Sequence, residues 1–164
     1  MDSSNLPANV PWLTAEGYID PGQFPIDRAL KQAMSPDEKQ FRSGVNMLQS
    51  MYHHGRAEAG VFLLGLLLTA DDNWERRIAI VEALKSVETK ACADLLFGEL
   101  KRVKSSNTTR RYLTMVIKVL AQMPSELVLD GFATLAQDKA FSHKMREKFK
   151  TVLANDAWDD LDLF

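Results

Sequence analysis

The chain has 164 residues, a formal net charge of −2 and a hydrophobic fraction of 46%, a composition typical of a globular protein and not of a disordered one. Its single cysteine, Cys92, excludes an internal disulfide framework and a cysteine-based zinc site, and we expect it to be a small apolar residue on a helix face. The N-terminus does not resemble a signal peptide, and the longest run of apolar residues and glycine, 61–68, is shorter than the about 20 residues that span a bilayer. A cytoplasmic location is the default expectation.

Residues 1–26 differ in composition from the rest of the chain. They contain four of the six prolines, which prevent a long helix, and apolar residues such as Trp12 and Phe24 lie between them. We therefore predict an extended proline-rich arm over 1–26. We expect it to pack on the first helices of its own chain, with docking on a partner as the alternative.

From residue 27 onward the apolar residues recur with helical spacing. Start signals stand at Ser35, Asn73, Thr89 and Ser142, and Gly55 has the position of a glycine that ends a helix. The predicted helices cover 27–34, 36–54, 57–70, 74–87, 90–104, 109–123, 126–137 and 143–154. No segment alternates as a strand would, so we predict an all-α fold.

The helix starts that follow capping signals, including the polar run 105–108, recur every 35 to 37 residues, which is typical of stacked helix pairs. The stretch 72–84, DNWERRIAIVEAL, resembles the motif of the HEAT and HEAT-like repeat families in its acidic turn, its apolar–arginine step and its final Ala-Leu. The stretches 107–120 and 142–153 match the motif less closely. The resemblance extends over about 35–155.

This resemblance implies a short right-handed solenoid of stacked antiparallel helix pairs. We place it at 27–155, between the arm 1–26 and an acidic, aromatic C-terminal tail at 156–164. An irregular helical bundle is the alternative architecture.

The sequence shows no catalytic constellation. His53 and His54 are neighbours, and neighbouring side chains on a helix point about 100° apart, so they cannot clamp one metal ion from a single face. The third histidine, His143, opens the last helix, and no phosphate-binding loop, dinucleotide fingerprint, zinc-protease helix or nucleophile elbow is present. We therefore predict a protein that is not an enzyme and that has no metal or cofactor.

Charge is unevenly distributed along the chain. Residues 73–150 hold 15 Lys and Arg against 9 Asp and Glu, a net of +6, while 1–72 and 151–164 each have a net of −4. Six of the cations lie about one repeat apart in pairs and would align along one side of a solenoid; we call them the basic row. The basic row consists of Arg76, Arg77, Arg110, Arg111, Lys144 and Arg146. Lys101, Arg102 and Lys104 form a second cluster. Two roles are open for the basic row. Its cations either stabilise the helices of their own chain, or they bind an acidic protein surface or phosphates.

The C-terminal tail carries four aspartates around Trp158 and Phe164. It is similar to the acidic, phenylalanine-ended tail of bacterial single-stranded DNA-binding proteins but lacks the proline that precedes the phenylalanine there. Three roles are open: the aromatic residues cap the last helix, which we favour, they dock into a partner, or the tail covers the basic row.

These features favour a non-catalytic protein–protein interaction module, an adaptor, inhibitor or complex subunit, for a partner with an acidic surface. We expect the basic row, Trp158 and Phe164 to bind the partner, and we expect no membrane contact. Nucleic-acid binding through the basic row is the alternative, because HEAT-like DNA glycosylases hold duplex DNA on such a surface. The resemblance to HEAT-like phycobilin lyases implies a third role, that of an accessory enzyme of the bilin lyase type.

Overall fold

The structure, a computed structural model, describes residues 10–154. These residues form eight α-helices, and their only β-type pairing is an isolated bridge between Leu13 and Ile19. The helices are α1 (Ile26–Ala33), α2 (Glu38–His53), α3 (Ala57–Thr69), α4 (Trp74–Ala83), α5 (Lys90–Arg102), α6 (Arg110–Ala121), α7 (Ser125–Gln137) and α8 (His143–Ala154). The prediction of an all-α fold is confirmed. Over this part of the chain, no helix combines the length and the apolar character that crossing a membrane requires.

Several helix ends lie where the sequence predicts them. The side chains of Asn73, Thr89 and Ser142 each accept a hydrogen bond, at 3.2 Å, from the backbone N–H three residues on, and so cap α4, α5 and α8. Gly55 follows α2 with a φ of +87°, a conformation that few residues other than glycine adopt. Helix α4 ends earlier than predicted, at Ala83, and continues as a 3-10 turn, Leu84–Ser86.

Two predicted caps are wrong. Helix α2 is capped by Asp37, whose carboxylate accepts from the N–H of Gln40 at 3.0 Å, while the hydroxyl of Ser35 accepts from the N–H of Asp37 at 3.1 Å and shapes the turn before it. The polar run 105–108 does not cap α6. The capping position is Thr109, and its hydroxyl donates instead to the carbonyl of Lys104 at 2.6 Å, which ties the loop together.

The chain divides into two compact units at the junction of Thr69 and Ala70. Unit 1 contains α1, α2 and α3, with α2 packed against both of the others. Its helices α1 and α2 pack tightly at Gly44, where an added Cβ atom would collide with the backbone of Ala33. The buried apolar side chains of these helices include Ala29, Ala33, Phe41, Val45, Leu48, Met51, Ala59, Leu63, Leu66 and Leu67.

The described part of the N-terminal arm, residues 10–25, folds into turns and not into one extended strand. Trp12 contacts the ring of Phe24 edge-on at 5.1 Å, and the guanidinium of Arg28, in α1, lies 5.6 Å from the centre of the Trp12 ring. The guanidinium of Arg56 donates to the carbonyls of Pro21 and Phe24. These contacts hold the arm against its own unit.

Unit 2 contains α4 to α8. Helix α4 packs against α6, α5 packs against α6 and α7, and α7 packs against α8. Its largest fully buried side chains are Leu84, Leu96, Tyr112, Ile117, Leu120, Phe132, Leu135 and Phe149. The predicted helical domain, 27–155, thus includes helices of both units.

Candidate functional site

The six cations of the basic row lie in different environments. Arg77 is only 4% exposed, whereas Arg110, Arg111 and Lys144 are exposed and Arg76 and Arg146 are half-buried. Arg77 therefore does not belong to an exposed row, because its guanidinium faces the interior of unit 2.

Arg77 is the centre of a buried polar network. One of its terminal nitrogens donates to Oε1 of Glu99 at 2.6 Å, its Nε donates to the carbonyl of Asp71 at 2.8 Å, and its other terminal nitrogen donates to the carbonyl of Ala70. The hydroxyl of Tyr112 donates to the same Oε1 at 2.8 Å, and Nε of Arg102 donates to Oε2 at 2.6 Å. The network joins the loop before α4 to α5 and α6.

The protonation of this network follows from its geometry. Burial of the Glu99 carboxylate opposes ionisation, but hydrogen bonds from Arg102 and Tyr112 and the positive charges of Arg102 and Arg77 outweigh it, so the pKa of Glu99 lies below its ordinary value. Burial and the adjacent Glu99 carboxylate raise the pKa of Tyr112. Glu99 is therefore an anion at neutral pH and Tyr112 a neutral donor, which suits a structural role.

Three of the remaining members of the basic row differ in their local contacts. Arg111 makes an ion pair with Glu75 at 2.8 Å, with the two side chains 76% and 63% exposed. Arg110 lies 3.4 Å from the side-chain oxygen of Asn107. The Nε of Arg146 is buried, and no residue within 10–154 accepts a hydrogen bond from it.

A groove with a volume of about 470 Å³ opens elsewhere on unit 2. It lies between the end of α5, helix α6, the connection from α7 to α8, and the first turn of α8. Three buried apolar residues, Leu100, Val103 and Leu113, line it, and so do the half-buried Phe141 and Met145, which we call its wall. The remaining lining residues are Lys101, Lys104, Ser105, Asp138, Ala140 and Ser142.

Local hydrogen bonds hold the wall of the groove in place. The carboxylate of Asp138 accepts from the N–H of Ala140 at 2.9 Å, and the carbonyl of Asp138 accepts from the N–H of Phe141 at 3.1 Å. The ring of Phe141 packs edge-on against Phe149 of α8 at 5.3 Å, and Phe149 in turn contacts Phe132 of α7. The wall is therefore anchored in the aromatic core of unit 2.

The groove is suited to binding an apolar group that has negative charge beside it. Lys101 and Lys104 are exposed, and no hydrogen bond or ion pair engages either ammonium group among residues 10–154. Among the described residues of the lining, Asp138 is the only acidic one, and its carboxylate is held within its own turn. In the same range, no group of three or more His, Cys, Asp or Glu side chains is placed to hold a metal ion.

Sequence reasoning found only part of this groove. The charge pattern identifies Lys101 and Lys104 as a cluster, but it gives no sign that Phe141 and Met145 lie beside them. The one available signal was Phe141, a large aromatic residue in the short connection between two helices. The predicted binding residues Trp158 and Phe164 lie outside the described residues.

Comparison of the chain with known proteins identifies no relative. No protein-family model matches the chain, and neither does any curated protein or solved structure.

Proposed function

We propose that this protein is a non-catalytic protein-binding module and that the groove of unit 2 receives an apolar side chain of its partner. The observation that carries the proposal is an apolar groove whose lining includes two lysines, Lys101 and Lys104, with ammonium groups that no residue within 10–154 engages. The volume of the groove, about 470 Å³, lies within the range of natural ligand sites. Burial of an apolar anchor supplies affinity, and the lysines select a partner with acidic residues beside that anchor.

Within unit 2 we propose a HEAT-like stacking of helix pairs. Support comes from the packing of α4 against α6 and of α5 against α7, in which both α4 and α5 contact the helix two positions further along the chain. The ion pair between Glu75 and Arg111 joins residues that are 36 positions apart, close to the period of the sequence. Such stacking exposes loops at regular intervals, and the groove lies at two of them.

The proposal is tested by selecting random ten-residue peptides displayed on phage against the full chain. We expect the selected peptides to contain one large apolar residue flanked by Asp or Glu. The variant Ala140→Trp fills the groove and should lose the selected peptides. Ala133→Trp adds the same side chain to the exposed surface of α7, away from the groove lining, and should keep them.

Two results would overturn the proposal. One is equal peptide binding by the Ala140→Trp and Ala133→Trp variants, since the groove would then have no part in recognition. The other is salt-dependent binding of random duplex DNA that is lost with Arg110→Glu and Lys144→Glu, which would assign the surface to nucleic acid.

A further inference from the structure

We infer that the groove of unit 2 is also the docking site of the chain's own C-terminal segment, residues 156–164, so that a partner must displace this segment to bind. The inference rests on the proposed function in that both use the same groove. It adds a named occupant and an intramolecular competition. The acidic side chains of the segment and its aromatic residues provide the two chemistries that the groove accepts.

Charge complementarity favours this occupant over a segment taken at random. The described part of unit 2, residues 70–154, carries 15 Lys and Arg against 11 Asp and Glu, a net of +4, and residues 155–164 carry 4 aspartates and no cation, a net of −4. Lys101 and Lys104 stand beside the apolar lining of the groove. The sequence around Trp158 and Phe164 contains acidic and apolar residues side by side, which matches that arrangement.

The length of the segment permits the contact. The groove is lined by Met145 in the first turn of α8, and Ala154 is the last residue of α8 that the structure describes. Nine helical residues advance about 14 Å, whereas ten extended residues reach about 33 Å. A chain that turns back after Ala154 therefore reaches the groove with its last five or six residues, which include Leu161 and Phe164.

Attachment to α8 gives the segment an advantage over a free ligand. A short flexible connection produces an effective concentration on the order of 1 mM, so that even an intrinsic affinity of about 0.1 mM would keep the groove about nine-tenths occupied. A free acidic peptide would then bind about tenfold more weakly than it would to an empty groove. The groove would thus favour partners whose affinity for it is high enough to displace the C-terminal segment.

Disulfide trapping in the full chain tests the contact. Leu161→Cys is combined with Ala140→Cys in the groove lining or, as the matched control, with Ala133→Cys on α7. The native cysteine does not interfere, because Cys92 is fully buried and burial raises its pKa to about 12. The effective concentration of each cysteine pair is measured against a glutathione redox buffer. We expect a value at least tenfold higher for the groove pair.

Reversing the lysines supplies the second arm. Lys101→Glu with Lys104→Glu should lower the effective concentration of the groove pair to that of the control pair. Lys85→Glu with Lys118→Glu, at exposed positions outside the groove lining, should leave the effective concentration of the groove pair high. Equal effective concentrations for the two pairs, or no response to the lysine reversal, would overturn the inference. Disulfides that form mainly between molecules would overturn it in favour of a second copy. Disulfide trapping tests the docking of the C-terminal segment and requires no partner, whereas peptide selection tests the binding of a partner. Either experiment can fail while the other succeeds, so the two proposals can be distinguished.

Discussion

Arg77 and Glu99 form an ion pair inside unit 2, with 2.6 Å between a guanidinium nitrogen and a carboxylate oxygen and with side chains only 5% and 6% exposed. The pair connects α4 to α5, and Tyr112 extends it to α6. Both charges would be costly to bury alone, so each requires the other. The pair thereby makes the packing of these three helices interdependent.

Removal of one partner should destabilise the protein strongly. Glu99→Ala leaves the guanidinium of Arg77 buried without its counter-charge, and we expect the free energy of unfolding to fall by about 3–5 kcal/mol. Glu75→Ala, which breaks the exposed pair with Arg111, should cost less than about 1 kcal/mol. Urea unfolding at 25 °C compares the two variants.

A double-mutant cycle identifies the source of the loss. Arg77→Met combined with Glu99→Leu replaces both charges by apolar side chains, and the double variant should lose less stability than the single variants Arg77→Met and Glu99→Leu lose together. If the double variant loses as much stability as the sum of the single variants, the coupling between Arg77 and Glu99 is absent and the assignment is wrong.

The lowered pKa of Glu99 predicts a stability that decreases in acid. Because the pKa in the folded chain lies below the ordinary value of 4.5, ionised Glu99 contributes its full stability above about pH 4.5 and loses it as the pH falls through the folded-state pKa. The difference in unfolding free energy between the wild type and Glu99→Gln should therefore be constant from about pH 5 to 8 and should narrow below 4.5. Glu58 and Glu147, whose pKa values are also lowered, titrate in both proteins and cancel. A difference that persists unchanged to about pH 3 would contradict the prediction.

The sequence was sufficient to predict the helices because their signals are local. Apolar spacing and caps such as Asn73 and Ser142 act within one or two helical turns, so both can be recognised in the sequence alone. The errors at Ser35 and 105–108 are also local: several polar residues competed for one position, and composition does not rank Asp37 above Ser35.

The candidate site could not be predicted in the same way, because its parts come from distant segments. The sequence does not distinguish Arg77 from its neighbour Arg76 as the buried residue, whereas in the structure Arg77 donates to the carboxylate of Glu99, 22 residues further on. The groove likewise requires Phe141 and Met145 to lie beside Lys101. Such tertiary contacts depend on how helices pack, and periodicity alone does not specify that packing.

Gly44 provides a test of the packing in unit 1. In Gly44→Ala the added Cβ would lie 2.7 Å from the carbonyl oxygen of Ala29 and even closer to the backbone of Ala33, so α1 must move away from α2. We expect a loss of at least about 2 kcal/mol, since backbone atoms yield less readily than side chains. Gly65→Ala, in α3, meets no atom within 4 Å and should be neutral or stabilise by up to about 1 kcal/mol. Chemical unfolding of both variants provides the measurement, and a destabilised Gly65→Ala with an unaffected Gly44→Ala would refute this view of the α1–α2 contact.

The arginines at 77 and 111 occupy equivalent places in the repeat pattern but should respond very differently to charge reversal. Arg111→Glu exchanges an exposed ion pair with Glu75 for a screened repulsion, which should cost no more than about 1 kcal/mol and lower the melting temperature by less than about 4 °C. Arg77→Glu places a second carboxylate beside Glu99 in the interior, where two like charges cannot both remain ionised. We expect this variant to lose its cooperative transition.

Arg77→Lys separates the role of charge from the role of shape at this position. A lysine retains the positive charge opposite Glu99, but its single ammonium group cannot reproduce the fork that also reaches the carbonyls of Ala70 and Asp71. Its melting temperature should therefore lie between those of the wild type and Arg77→Ala. Thermal melts followed by circular dichroism place the variants on one scale. If Arg77→Glu and Arg111→Glu have the same melting temperature, Arg77 does not stabilise the packing of α4, α5 and α6, and it would have to be regarded again as a member of the basic row.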